Sequence, residues 1–109
     1  ATCIWAVKLG SVPPKVVLSD KNGGKIDGTA WSSTMIKNKV TVLFYIDPDR
    51  RDDNYILTKA LQAKHFDQKK YRSIAIINMD ATWMPNIIIE RKLGSKNEEF
   101  PHTLYVKDK

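Results

Sequence analysis

The stretch Val40-Thr41-Val42-Leu43-Phe44-Tyr45-Ile46-Asp47-Pro48-Asp49-Arg50-Arg51-Asp52-Asp53-Asn54 decides how the chain is read. Its first seven residues are β-branched, aromatic or aliphatic, with the Thr41 and Tyr45 hydroxyls the only polar groups among their side chains. Such a near-continuous apolar run is expected to form a strand buried on both faces, at the centre of an α/β sheet. In sheets of that kind a ligand site tends to lie just past the carboxyl end of a central strand. Functional residues are therefore sought between Asp47 and Asn54, where the side chains are acidic and basic and no thiol occurs.

Outward from that stretch, Asp52 and Asp53 stand where a helix would begin, and carboxylates there suit both the free backbone N–H groups and the helix dipole. Ile56, Leu57, Ala60, Leu61 and Lys64 repeat at helical spacing, so a helix is expected from about Asp53 to His65 with that stripe buried. Ile74–Asn78 reads as a second buried strand, made parallel to the first by this helical crossover. Ile87–Leu93 mixes strand-favouring isoleucines with a helix-favouring Glu-Arg-Lys-Leu tail; a second crossover is needed there, so it is assigned as a helix capped by Gly94. Pro101 leads into a third strand, Thr103–Val106, and Lys107-Asp108-Lys109 reads as the opening of a turn.

Upstream, residues 1–15 contain Pro13-Pro14 and read as an extended lead-in. Val16-Val17-Leu18, the turn Asp20-Lys21-Asn22-Gly23-Gly24 and Lys25-Ile26 predict an N-terminal β-hairpin. Ser32 or Ser33 is positioned to cap one helical turn over Thr34–Ile36. The whole is one domain of 109 residues, long enough to bury a core without covalent staples. A hairpin strand and a helix are expected beyond Lys109.

Composition narrows the function classes. The net charge of +6 comes from scattered lysines with no aromatic-studded basic stripe, so a solvated basic surface is favoured over nucleic-acid binding. No apolar run reaches the roughly 20 residues that span a bilayer. Cys3 is the only cysteine, so neither an internal disulfide nor a paired-thiol redox site exists in this chain. Its place is that of a small apolar residue in the terminal arm.

The order of elements resembles a thioredoxin-like domain, a three-layer α/β sandwich. Lys37-Asn38-Lys39-Val40-Thr41-Val42-Leu43-Phe44-Tyr45 is similar to the basic lead into the first buried strand of extracytoplasmic thioredoxin-like proteins. Glu99-Phe100-Pro101-His102-Thr103-Leu104-Tyr105-Val106 looks like the segment around their cis-proline. Within that superfamily the chain most resembles the YtfJ family of bacterial periplasmic proteins. Further features of that likeness are Leu9-Gly10 to Pro14, Trp31-Ser32-Ser33 and Ile76-Ile77-Asn78-Met79-Asp80. The resemblance implies a periplasmic location, and the start at Ala1 without Met then fits a removed leader. It implies no defined activity.

Aligned on Phe44-Tyr45, the two thioredoxin cysteine positions fall on Asp49 and Asp52. Thiol–disulfide exchange needs a thiolate nucleophile and a resolving thiol, and aspartate supplies neither. The resemblance then points to a binding groove formed by Asp47, Asp49, Arg50, Arg51 and Asp52 on one side and Pro101 and His102 on the other. Its ligand would be a peptide, a protein or a small molecule, with no metal or cofactor assigned.

The aspartates admit two other readings. Four carboxylates within seven residues suit Mg²⁺ or Ca²⁺, but helix capping and the neighbouring Arg50 and Arg51 are the preferred account of them, and the EF-hand Gly and Glu are absent. Asp47-Pro48-Asp49 after a strand resembles the first motif of haloacid-dehalogenase-type phosphatases, which implies a Mg²⁺-dependent enzyme with Asp47 as nucleophile and Asp49 handling the proton. Arg51 stands where that family has a small residue, and no later Lys and paired-Asp motif accompanies it. The binding reading is preferred. Trp31 is expected in the core, Trp83 in a loop, and His65 at a helix C-terminus.

Overall fold

A computed structural model describes residues 8–82 and 84–109, with the side chain of Arg51 excepted. Cys3, the first half of the lead-in, Trp83 and the Arg51 side chain therefore lie outside the described residues. The fold is mixed α/β. Strands β1 (Val17–Leu18), β2 (Gly23–Lys25), β3 (Trp31–Ser32) and β4 (Val40–Ile46) are followed by helix α1 (Tyr55–Ala63), strand β5 (Tyr71–Asn78), helix α2 (Asn86–Glu99) and strand β6 (Thr103–Asp108). No helix among the described residues is long and apolar enough to cross a membrane.

Four strands form the main sheet in the order β2-β6-β5-β4. β4 pairs parallel with β5, β5 parallel with β6, and β2 antiparallel with β6. This corrects the position expected for Val40–Ile46. The strand exists with those bounds, but at the edge: Val40, Leu43 and Tyr45 are exposed and only Phe44 is buried. The physical reason lies in β5, where Ser73 to Ile77 are all buried. A strand that is apolar on both faces gains most from the middle of a sheet, and each helical crossover adds its strand on the same side of the one before.

Both helices cover one face. Ile89 and Leu93 of α2 pack with Phe44, Ala75, Ile77 and Tyr105, and Leu61 of α1 is partly buried against the same cluster. The opposite face is covered by a two-stranded ribbon, β1 paired with β3, whose Leu18 and Trp31 pack on Ile74, Ile76 and Val106. The three layers are thus helices, sheet and ribbon, with no α-helix on the second face among the described residues.

The expected hairpin of Val16–Leu18 with Lys25-Ile26 is not the pairing found. β1 takes β3, while β2 joins the main sheet on the side of β6 where a following hairpin strand was expected. Gly23 explains this. At φ +114, a Cβ there would stand 2.0 Å from the Lys107 carbonyl oxygen, so only glycine allows the two backbones to approach. β6 consequently continues through Lys107 and Asp108 instead of turning.

α1 also departs from expectation. It is preceded by 3₁₀ turns over Pro48–Asn54, with Arg50 at non-helical φ and ψ, so the α-helix enters out of phase with a straight helix begun at Asp53. Ile56 and Leu57, assigned to the buried stripe, are 85% and 50% exposed. α1 is tied down instead by side chains directed at the end of α2. The Tyr55 hydroxyl donates to Glu99 Oε1 at 3.0 Å, its ring meets Phe100 edge to face, and Gln62 Nε2 donates to the Glu99 carbonyl. Ile87–Leu93 is helical as assigned, but Gly94 lies inside α2 and Phe100 caps it. The single turn after Ser32 is a 3₁₀ turn over Ser33–Met35, capped by the Ser32 hydroxyl accepting from Thr34 N–H.

Candidate functional site

The aspartates beyond β4 are organised by capping. Asp47 is extended and its Oδ1 accepts from Asp49 N–H at 2.9 Å, with Pro48 at the first helical position. That combination suits a helix start because Pro carries no N–H to satisfy and its φ is already helical. Asp49 turns the other way, its Oδ1 accepting from Thr82 Oγ1 at 2.6 Å, which ties this segment to the loop after β5. Arg50 Nε donates to Asp53 Oδ2 at 2.8 Å on the surface. The N-cap is therefore Asp47, and Asp52 and Asp53 do not cap α1, whose own cap residue Asn54 makes no side-chain bond. Among the described residues no three His, Cys, Asp or Glu side chains are grouped as a metal ion would require. The nucleophile–acid arrangement assigned to Asp47 and Asp49 is not favoured when one carboxylate is a turn acceptor and the other accepts from the Thr82 hydroxyl.

Pro101 and His102 lie elsewhere. Thr103 at the start of β6 is level with Ser73 and, through β5, with Val42, whereas Ile46 at the end of β4 is level with Ile77 and Lys107. Four residues of parallel strand separate those levels, about 13 Å at about 3.3 Å per residue. The aspartates stand past the carboxyl ends of the strands and Pro101 precedes an amino end, so the two halves of the expected groove do not face each other. The crossovers dictate this: β4 and β6 run the same way, so a segment leaving one and a segment entering the other occupy opposite rims. No cis peptide bond occurs among the described residues, so Pro101 is trans.

At the rim that carries Pro101, a cavity of about 340 Å³ opens between α1, the loop after it and the starts of β5 and β6. Pro101, His102, His65, Phe66 and Tyr71 are among its lining residues. His65 lies near the C-terminus of α1 as expected, directly after the Lys64 cap and in the left-handed region at φ 51, and this turns the chain around the cavity. Phe66 and Tyr71 rings lie 4.9 Å apart and brace the wall. The Tyr71 hydroxyl is buried and has no hydrogen-bond partner among the described residues, an arrangement that costs free energy until an acceptor is supplied. Sequence reasoning found Pro101 and His102 but missed His65, Phe66 and Tyr71. The available signal was a polar loop, Asp67–Lys70, bracketed by two aromatic residues.

A second, apolar cavity of about 70 Å³ lies between the helices and the sheet, reaching from Pro48 and Tyr55 to Ile89 and Leu93. Nearby, burial pushes the Tyr105 hydroxyl up to about 12, with the Glu99 charge adding to it.

No curated protein and no solved structure matches the chain. Residues 9–109 match the profile of a family described as a bacterial protein of unknown function, YtfJ_HI0045. That match spans nearly all of the sequence, and the chain belongs to this family.

Proposed function

We propose that this chain is a non-catalytic binding domain of the periplasm, redox-inactive and thioredoxin-like in the order of its elements, whose ligand occupies the cavity beside Pro101 and His102. The observation that carries the reading is a 340 Å³ cavity whose wall combines the packed rings of Phe66 and Tyr71 with His65 and His102. Ligand pockets characteristically combine apolar and aromatic walls with a few polar groups that fix orientation. The ligand would be a small molecule, or a side chain of a peptide or protein partner, that lays an apolar face on Phe66 and Tyr71 and presents a polar group to His65 or His102. The thioredoxin-like part rests on the succession strand, helix, strand, helix and Pro-led strand, together with aspartate at both positions that align with cysteines. The location rests on the family resemblance. Backbone amide NMR of the purified protein against a fragment set and a pool of short peptides tests the site. Shifts clustered at Phe66, Tyr71 and His102, and lost in His102→Ala, support it. Shifts confined to Asp47–Asp53, or none anywhere, overturn it.

A further inference from the structure

We infer that the apolar cavity between the helices and the sheet is a second, independent site, for a small monocarboxylate with a short hydrocarbon tail. Its walls come from Phe44, Ala75, Ile77, Ile89, Leu93 and Tyr105, side chains of the core itself. Hydrocarbon is what such walls accept without a desolvation penalty on either partner. Two cations, Lys92 and Lys96, complete the lining from successive turns of α2. Lys92 is exposed and Lys96 partly so, which sets their ammonium groups where the cavity meets water.

Lys96 is ion-paired with Glu99, whereas Lys92 has no carboxylate partner among the described residues. Lys92 Nζ lies 3.8 Å from the Met84 sulfur, and Lys96 Nζ is 3.8 Å from Glu99 Oε2 and 4.8 Å from the centre of the Tyr55 ring. A thioether is a weak partner for the Lys92 ammonium, so a carboxylate arriving there gains a charge-assisted hydrogen bond with little to displace. Lys92 therefore specifies an anionic head, and the walls an apolar tail. Volume limits the tail. A 150 Å³ cavity takes a benzene ring, so 70 Å³ holds roughly three or four carbons.

The test is a titration of methyl-labelled protein with sodium pentanoate, beside pentanol and pentylamine at equal concentration. Pentanoate should shift the Ile77, Ile89 and Leu93 methyls, and pentanol should bind at least about tenfold more weakly. In a series from acetate to octanoate, affinity should rise to about a four-carbon tail and then flatten. Lys92→Glu should abolish the shifts and Lys92→Arg should retain them; Lys92 is exposed, and a thermal melt of each variant confirms folding. Equal binding of pentanol and pentanoate, affinity that climbs steadily to octanoate, or full binding by folded Lys92→Glu would each overturn the inference. Because this site shares neither Tyr71 nor His102, loss of either proposal leaves the other standing.

Discussion

The Tyr45 hydroxyl donates to Asp108 Oδ2 at 2.6 Å, so a side chain on the edge strand β4 reaches over β5 to grip β6. The two residues are 63 positions apart in sequence, and the bond ties together three strands on the face that the β1/β3 ribbon leaves open beside β4. Burial of the phenol, and then the Asp108 carboxylate that its proton satisfies, push the Tyr45 hydroxyl up to about 12.

Replacing Tyr45 with Phe should lower unfolding free energy by about 1 kcal/mol, the usual net worth of one such bond, since 57% of the residue is exposed. Urea unfolding at neutral pH measures it.

The same bond predicts an alkaline limit. With the folded value above the ordinary 10, the contribution of Tyr45 is complete below pH 10 and is lost as pH rises towards 12. Tyr105, also raised to about 12, loses its contribution in the same window. Stability should therefore be flat from neutral pH to about 10 on account of these groups and fall beyond it, with a shallower fall in Tyr45→Phe. Denaturant midpoints between pH 8 and 11.5 read this directly.

Asp47→Ala should cost about 0.5–2 kcal/mol as loss of a helix N-cap, while Asp52→Ala, an exposed residue outside the cap, should stay within about 0.5 kcal/mol of the parent. Paired thermal melts separate them, and an inverted ranking would restore the capping expected from sequence.

Gly23→Ala should destabilise by more than about 1 kcal/mol, because it combines an unfavourable φ with a Cβ driven into the Lys107 carbonyl. Gly28 also has positive φ, but a Cβ there meets nothing within 4 Å, so Gly28→Ala should cost less. Amide exchange should show protection lost from Val106 to Asp108 in the Gly23 variant alone.

Purified protein should leave insulin disulfides at the background rate, since a single cysteine, Cys3, supplies no resolving thiol for exchange. Turbidity of the precipitating B chain is the readout.

The elements were legible because their signals are local. Apolar runs marked β4 and β5, the helix-favouring Glu90-Arg91-Lys92-Leu93 and the need for a second crossover marked α2, and Pro101 marked the start of β6. Lateral order was not, because no local pattern says on which side of β5 the strand β4 will lie, and the Gly23–Lys107 approach depends on residues far apart in sequence. The misassigned cap has a plainer cause. Asp47-Pro48 is itself a helix-start signal, passed over in favour of Asp52-Asp53 because a 3₁₀ segment was not expected before α1. At the site, Pro101 and His102 were found through resemblance, whereas Tyr71 depends on three-dimensional burial that spacing does not encode.

The position of β6 has a consequence for synthesis. A strand formed by residues 103–108 lies between β5 and β2, whose residues leave the ribosome many positions earlier. Until it emerges, β2 has no neighbour in the main sheet and β5 has only β4. The nascent chain must therefore wait, with the apolar flank of β5 open to chaperones, before its sheet can close in one late step.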